Sequence, residues 1–296
     1  MLKNMLISIL LAAASGCGQA SDKPAPTPPS DEQLAAFDAA ADRALDMSEP
    51  RGWIVSRWED GRVEHTGDSL LWTGMAMGLL DCARGDEAEA ALLDMLTSNG
   101  GRAYRHPSEA AREPSLDGHL GLYWGIAQRV TRCPETAERW AAALEIHEPV
   151  NVGDAFDVVR VALRSRLGRG AAPSLRARDA LGALVGGWAG VVRTKKAAAF
   201  RIHLGLLTLE TLAAAGQPVS GSVRDAFCAA SDGADMPTVD HYCGRGNLAA
   251  WVANFTYDAW EMRHQRAGAW EQPDGKPGLA TPGVDLLVAY RALHTD

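Results

Sequence analysis

Carboxylates, imidazoles and aromatic rings recur together at several points of this chain. His65 and Asp68 precede Trp72; Tyr104, Arg105 and His106 are consecutive; Asp117 and His119 precede Trp124. Asp240, His241 and Tyr242 are followed by Arg245, Asn247 and Trp251. Such groups suit work on a sugar: a carboxyl moves a proton at the glycosidic oxygen, and a flat ring covers an apolar sugar face. In that reading Asp68 and Asp117 are the proton-transferring pair. His106 and His119 position the sugar, Trp72 and Trp124 stack on it, and Arg105 and Arg245 hold a sugar carboxylate. His65, His241, Tyr242, Asn247 and Trp251 complete the lining. Each acid also has a plainer use, because Asp68, Asp117 and Asp154 are all placed to cap a helix or serve its first turn, worth about 0.5–2 kcal/mol. Tyr104 can pack as readily as donate a proton, and His203, deep in an apolar stretch, reads as a core histidine.

Residues so far apart become neighbours only if the fold gathers them. Helical periodicity dominates the chain, and the expected class is all-α. Ser30 followed by Gln33 opens the first helix with a capping box. Further helices are expected at about 67–83, 86–98, 115–131, 135–147, 153–168, 174–194, 197–215, 219–231, 246–264 and 283–293. WIVSRWEDGRVEHT predicts one short β-hairpin around Asp60-Gly61, and GGRAYRHP a second extended patch. The helices at 67–83, 115–131, 197–215 and 246–264 are apolar nearly all round, as interior helices are. Those at 86–98, 135–147 and 219–231 carry charged faces. Alternating outer and inner helices predict an incomplete (α/α)6 toroid-like array of helical hairpins, with the inner helices parallel and their N-termini at one mouth.

The first residues, MLKNMLISILLAAASGCGQA, read as a secretory signal: Lys3, an apolar run too short to span a bilayer, then small residues. Ala14-Ser15-Gly16-Cys17 resembles a bacterial lipobox, which implies residues 1–16 as signal peptide and an acylated Cys17. Residues 17–30, rich in Pro, form a tether, and residues 31–296 one domain. The implied location is the cell envelope, at the outer membrane, with the lipid on Cys17 as the membrane contact. Cys82, Cys133, Cys228 and Cys243 remain, and an even count in an oxidising compartment implies disulfides. Cys228–Cys243 and Cys82–Cys133 are the expected pairs, with buried free thiols the alternative for the second.

A net charge of −8 argues against nucleic acid as a partner. Ten basic residues against Asp179 alone nevertheless fill 160–201. Solvated helix faces account for such a run, as would a surface for anionic lipid or a polyanionic glycan. There is no Gly-rich phosphate loop, no G-x-S-x-G elbow, no H-E-x-x-H and no short-spaced Cys/His cluster. Nothing calls for a cofactor or a metal.

HTGDSLLWTGMAMGLL (65–80) and HYCGRGNLAAW (241–251) resemble segments of the six-hairpin carbohydrate-active proteins, the unsaturated uronyl and rhamnogalacturonyl hydrolases among them. The resemblance implies that Asp68 or Asp117 protonates the enol-ether double bond of an unsaturated uronide, which is then hydrated. It also implies that Arg245 meets the substrate carboxylate and that Asn247 and Trp251 frame the site. Cys243 and Leu248 stand where that family has Trp and Gly. Polysaccharide lyases on related toroids imply another outcome, proton abstraction beside a uronate, for which Tyr104, Arg105, His106, His119 and Tyr242 supply the parts. A non-catalytic envelope lipoprotein that uses the same scaffold to bind protein or glycan is the remaining expectation.

Overall fold

The computed structural model describes residues 30–46, 48–49, 51–58, 63–65, 69–109, 114–149, 154–195, 200–233, 236–253 and 279–280. The protein is all-α. Its helices are α1 Asp31–Asp46, α2 Ser69–Leu79, α3 Asp86–Ser98, α4 Leu116–Arg132, α5 Ala137–Ile146, α6 Asp154–Arg166, α7 Leu175–Lys195, α8 Phe200–Ala214, α9 Gly221–Ala230, α10 Pro237–Tyr242 and α11 Leu248–Ala253. None of them is long and apolar enough to cross a membrane. The capping box forms as read: Gln33 N–H donates to Ser30 Oγ at 3.2 Å, and Ser30 N–H to Gln33 Oε1 at 2.8 Å.

The expected hairpin is present as β3 (Ser56–Trp58) and β4 (Val63–His65), with Ser56 opposite His65. It is not the only extended structure. β1 (Ser48–Glu49) pairs with β2 (Trp53–Ile54), and β5 (Leu279–Ala280) adds antiparallel to β3. Two-residue strands carry no alternation to read, and the β3–β5 pairing joins segments more than two hundred residues apart. The segment at 101–106 forms no strand. Helix α10 is an addition, whereas Asp60-Gly61 and the helix expected at 283–293 lie outside the described residues, as do residues 1–29 with Cys17.

Every residue of α2 is buried. Its neighbour α4 is buried along most of its length. The two meet through paired Gly-x-x-x-Gly stripes, Gly74/Gly78 on α2 and Gly121/Gly125 on α4. A Cβ on Gly74 would lie 2.7 Å from Gly121 O, one on Gly78 2.8 Å from Gly125 Cα, and one on Gly121 2.8 Å from Leu71 Cα. One on Gly125 would overlap Gly74 O. Residue 71 meets 121 and residue 78 meets 125, so the helices run in the same direction, backbone against backbone.

The other helices fall into line with these two. Trp124 Nε1–H donates to Glu210 Oε2 at 2.9 Å, and the first turns of α4 and α8 share a cleft, so α8 is parallel to α4. Arg166, at the end of α6, donates to Ala214 O at 2.5 Å and Thr131 Oγ1 at 2.8 Å, which puts the C-termini of α4, α6 and α8 together. Helix α7 returns antiparallel, with Trp188 near its end stacked on Phe156 near the start of α6 at 5.2 Å. Both expected disulfides are present: Cys82–Cys133 ties the end of α2 to the end of α4, and Cys228–Cys243 ties α9 to α10.

Gly125→Ala is expected to lower stability in urea by about 3 kcal/mol or more, since the atoms in its way are backbone and cannot rotate aside. Gly187→Ala, with open space around the added methyl, should instead raise it by about 0.5–1 kcal/mol. Equal stabilities for the two variants would rule out the close approach.

Candidate functional site

The N-terminal ends of α4 and α8 open on a cleft of about 550 Å³. Helix α4 contributes Ser115, Leu116 and Asp117, and α8 contributes Arg201 and Leu204. Trp188 enters from the end of α7, and Arg105 from the chain between α3 and α4. Ser115 is the N-cap residue of α4, with extended backbone, yet its hydroxyl makes no capping bond. Asp117 does not cap the helix either; its Oδ1 accepts the N–H of Gly118 at 3.0 Å. Arg201 occupies the first turn of α8, where a cation opposes the helix dipole. It makes no hydrogen bond or ion pair among the described residues. Among the described residues the lining carries two guanidinium groups, two helix N-termini and one carboxylate, a set that suits an anionic ligand.

Of the residues singled out in the sequence, Asp117 and Arg105 line this cleft. Asp68 lies outside the described residues, and only the backbone is described for His65, Asp154 and Trp251. Trp72 and Trp124 were expected to stack on a sugar, but both are core residues, 4% and 3% exposed. They belong to helices surrounded on all sides, and Trp124 has its N–H committed to Glu210. The ring that lines the cleft is Trp188.

His106 is buried, edge-on to Trp53 at 5.7 Å, with Nδ1 2.8 Å from Ser108 Oγ. Tyr242 packs against Phe227 with the Arg224 guanidinium 5.0 Å above its ring, and His241 is half-buried on α10. Arg245 was expected to hold a substrate carboxylate. Its guanidinium instead binds Asp240 Oδ1 at 3.0 Å, Cys228 O at 2.6 Å and Ser231 Oγ at 3.3 Å, bracing α9 against α10. Asn247 Oδ1 accepts Ala250 N–H at 2.9 Å and caps α11. Arg245 and Asn247 are thus engaged within the fold.

Much of the basic stretch is also engaged internally. Arg160 pairs with Asp157 at 2.7 Å, Arg166 caps α8, Arg169 pairs with Glu138, and Arg178 donates to Pro218 O. Among the described residues, Arg201 is the member of the stretch that lines the cleft. Among the described residues one group has metal-ligand types, Cys82, Cys133 and Glu135, and its two sulfurs are joined in a disulfide.

Beneath the cleft lies a buried pair of stacked imidazoles, His119 and His147, with centroids 5.6 Å apart. A carbonyl can only accept, so His119 Nδ1–H donates to Ser115 O at 3.2 Å and His147 Nδ1–H to Gly101 O at 2.7 Å. Tyr123 O–H then donates to His147 Nε2 at 3.1 Å. Burial, reinforced by His147, pushes the His119 pKa down to about 4 against the opposing pull of the Ser115 carbonyl. Burial lowers His147 as well, and alone takes His203 to about 4.

No protein-family model matches the chain, and no curated protein or solved structure does.

The buried histidines fix a pH dependence. An unfolded chain protonates these imidazoles near pH 6.5, the folded protein near 4 for His119 and His203. Between those values the unfolded state binds more protons, so stability is full above pH 6.5, falls as the pH is lowered and levels off below 4. His203→Leu should flatten that slope in urea titrations at pH 7, 5.5 and 4, by about 3 kcal/mol across the window. An unchanged slope would show that His203 protonates in the folded state as it does in water.

Proposed function

We propose that the cleft at the ends of α4 and α8 binds an acidic, uronate-bearing carbohydrate, and that Asp117 is the proton-transferring group in its cleavage. The observation that carries the reading is the grouping of Arg105, Arg201, Trp188 and Asp117 around one cleft. The guanidinium groups suit a sugar carboxylate, for which charge-assisted hydrogen bonds are about twice as strong as neutral ones. The Trp188 ring suits the apolar face of the same sugar, and Asp117 stands beside both. The cleft volume falls within the range of about 300–1,000 Å³ usual for small-molecule sites. For an unsaturated uronide, the Asp117 carboxyl would donate its proton to the far carbon of the enol-ether double bond and water would add at the carbon bearing the ring oxygen; the resulting hemiketal would open the ring to a ketone, and the hemiacetal so freed at the anomeric carbon would release the aglycone as its alcohol. The parallel α2, α4, α6 and α8 are consistent with an incomplete α/α toroid whose mouth is this rim. Acylation of Cys17 would hold the domain at the envelope, beside glycans outside the cytoplasm.

One observation favours binding without cleavage. Asp117 is the sole carboxylate lining the cleft among the described residues, and paired-acid chemistry needs a second. The experiment separates the two readings. Calorimetric titration with oligogalacturonides, saturated and unsaturated, should show binding that Arg201→Ala weakens about 10- to 100-fold. Asp117→Asn should abolish product formation at unchanged melting temperature. Binding without turnover in the natural protein would leave the glycan-binding reading. Equal affinity for neutral and acidic oligosaccharides would overturn both.

A further inference from the structure

The chain that brings Arg105 to the first cleft brings its neighbour Tyr104 to a second, of about 490 Å³, against the outer face of α3. Glu87 and Asp94 line it from α3, seven residues and about 10 Å apart along one helix face. Ala90 and Ala91 lie between them and leave a low apolar shelf with a carboxylate at each end. Tyr104 forms the wall, its ring stacked on the buried Trp53 at 5.5 Å and 25°, so the platform is rigid. Arg51 completes the rim from the turn between β1 and β2.

Two features distinguish these groups. Arg51 has φ +82°, a left-handed conformation that costs a non-glycine residue about 1–2 kcal/mol, and the turn is closed by Gly52 N–H on Glu49 O at 3.1 Å. A glycine would relieve that strain, yet a long cation sits there. In addition, the side chains of Arg51, Glu87 and Asp94 make no hydrogen bond or ion pair among the described residues, although charges of both signs border one cavity. All three are exposed and line the cleft.

We propose that this second cleft binds an amine-bearing sugar unit, its ring against Tyr104, its ammonium at the Glu87 or Asp94 carboxylate and its hydroxyls at Arg51. The charge balance is the reverse of the first cleft: two carboxylates to one guanidinium, which disfavours a uronate and favours a cation. A basic peptide would also satisfy the carboxylates, but it would meet the Arg51 guanidinium as a like charge and has no use for a donor there. A polyhydroxylated ring uses acceptors, donor and aromatic wall together. Burial and the Asp94 charge raise the Tyr104 pKa, so the wall is a neutral phenol.

The test is titration of the full mature chain with the glucosamine trimer at mildly acidic pH, followed by calorimetry and tryptophan fluorescence. Binding is expected, weakened at least tenfold by Glu87→Gln or Asp94→Asn and untouched by Arg201→Ala in the first cleft. Both α3 substitutions are at exposed positions, so circular dichroism should be unchanged. The N-acetylated trimer should bind at least tenfold more weakly. The assignment is overturned by absence of binding, by indifference to both α3 substitutions, by trilysine binding as well as the amino sugar, or by loss of binding in Arg201→Ala. None of these outcomes bears on uronate binding in the first cleft, so the two sites fail or stand separately.

Discussion

The contact on which the remaining architecture depends is between two backbones. Gly74 and Gly78 on α2 lie against Gly121 and Gly125 on α4, with no side chain between them. Such an approach fixes both the direction and the axial register of the two helices, because a shift of one residue would bring a side chain into the seam. With the register set, the last turn of α4 falls over the end of α2. Arg132 donates there to Gly78 O and Leu79 O, and Arg129 to Asp81 O and Cys82 O. Arg129 is fully buried, and its charge is balanced by Glu89 at 2.7 Å and Asp86 at 2.6 Å. An arginine in that position satisfies orphan carbonyls and opposes the negative end of the α2 dipole. The Cys82–Cys133 disulfide closes the same corner.

Parallel packing of this kind divides the molecule into two unlike ends. At the C-terminal end, arginines from neighbouring helices cover exposed carbonyls: Arg129 and Arg132 over α2, and Arg166 over α8. That end is stitched together and offers little to a ligand. At the N-terminal end the positions that would normally be filled by capping groups are used differently. Ser115 leaves its helix uncapped, Asp117 turns to its own neighbour, and Arg201 sits where an acid would be electrostatically preferred. These departures from local preference coincide at one cleft.

The pattern of what the sequence revealed follows from the range of the forces involved. The capping box of α1, the β3–β4 hairpin, the run of helices and the two disulfides are local or are limited to few partners, and all were legible. The glycines of α2 and α4 stand in the sequence at helical spacing, but nothing local says which two helices they join. The site was harder to read. Trp72, Trp124 and Trp188 look alike in sequence, and only the packing decides that the first two are enclosed and the third faces a cleft. The segments before the inner helices contain Asp117 and Arg105, whereas the C-terminal half of α7 shares the same rim. Trp188 belongs to that half. Arg201 was visible as one cation among ten, and the clue that separates it is its place in a helix first turn. Arg245 misled because a Gly-Arg-Gly segment can present a guanidinium outward, whereas here Asp240 and two groups of the α9 end lie within its reach.

The stacked histidines connect the core with both clefts. The chain that supplies Tyr104 to one and Arg105 to the other leaves the helical body at Gly101 and rejoins it at Ser115. Both carbonyls at those exits accept from buried imidazoles, His147 at Gly101 and His119 at Ser115. Glu148 N–H adds a second bond to Gly101 O at 3.0 Å, and a Cβ on Gly101 would overlap Ile146 O, so this exit is fixed tightly against the end of α5. The contacts at the other ring nitrogens suit neutral rings. Tyr123 donates to His147 Nε2, which a proton there would prevent, and His119 Nε2 is buried with no acceptor to receive one. Arg160 and Asp157 are the charged groups near His147, and they act in opposite directions. The two buried imidazoles thus hold both exits of the segment that carries Tyr104 and Arg105, and the geometry of both clefts is tied to the integrity of the interior beneath them.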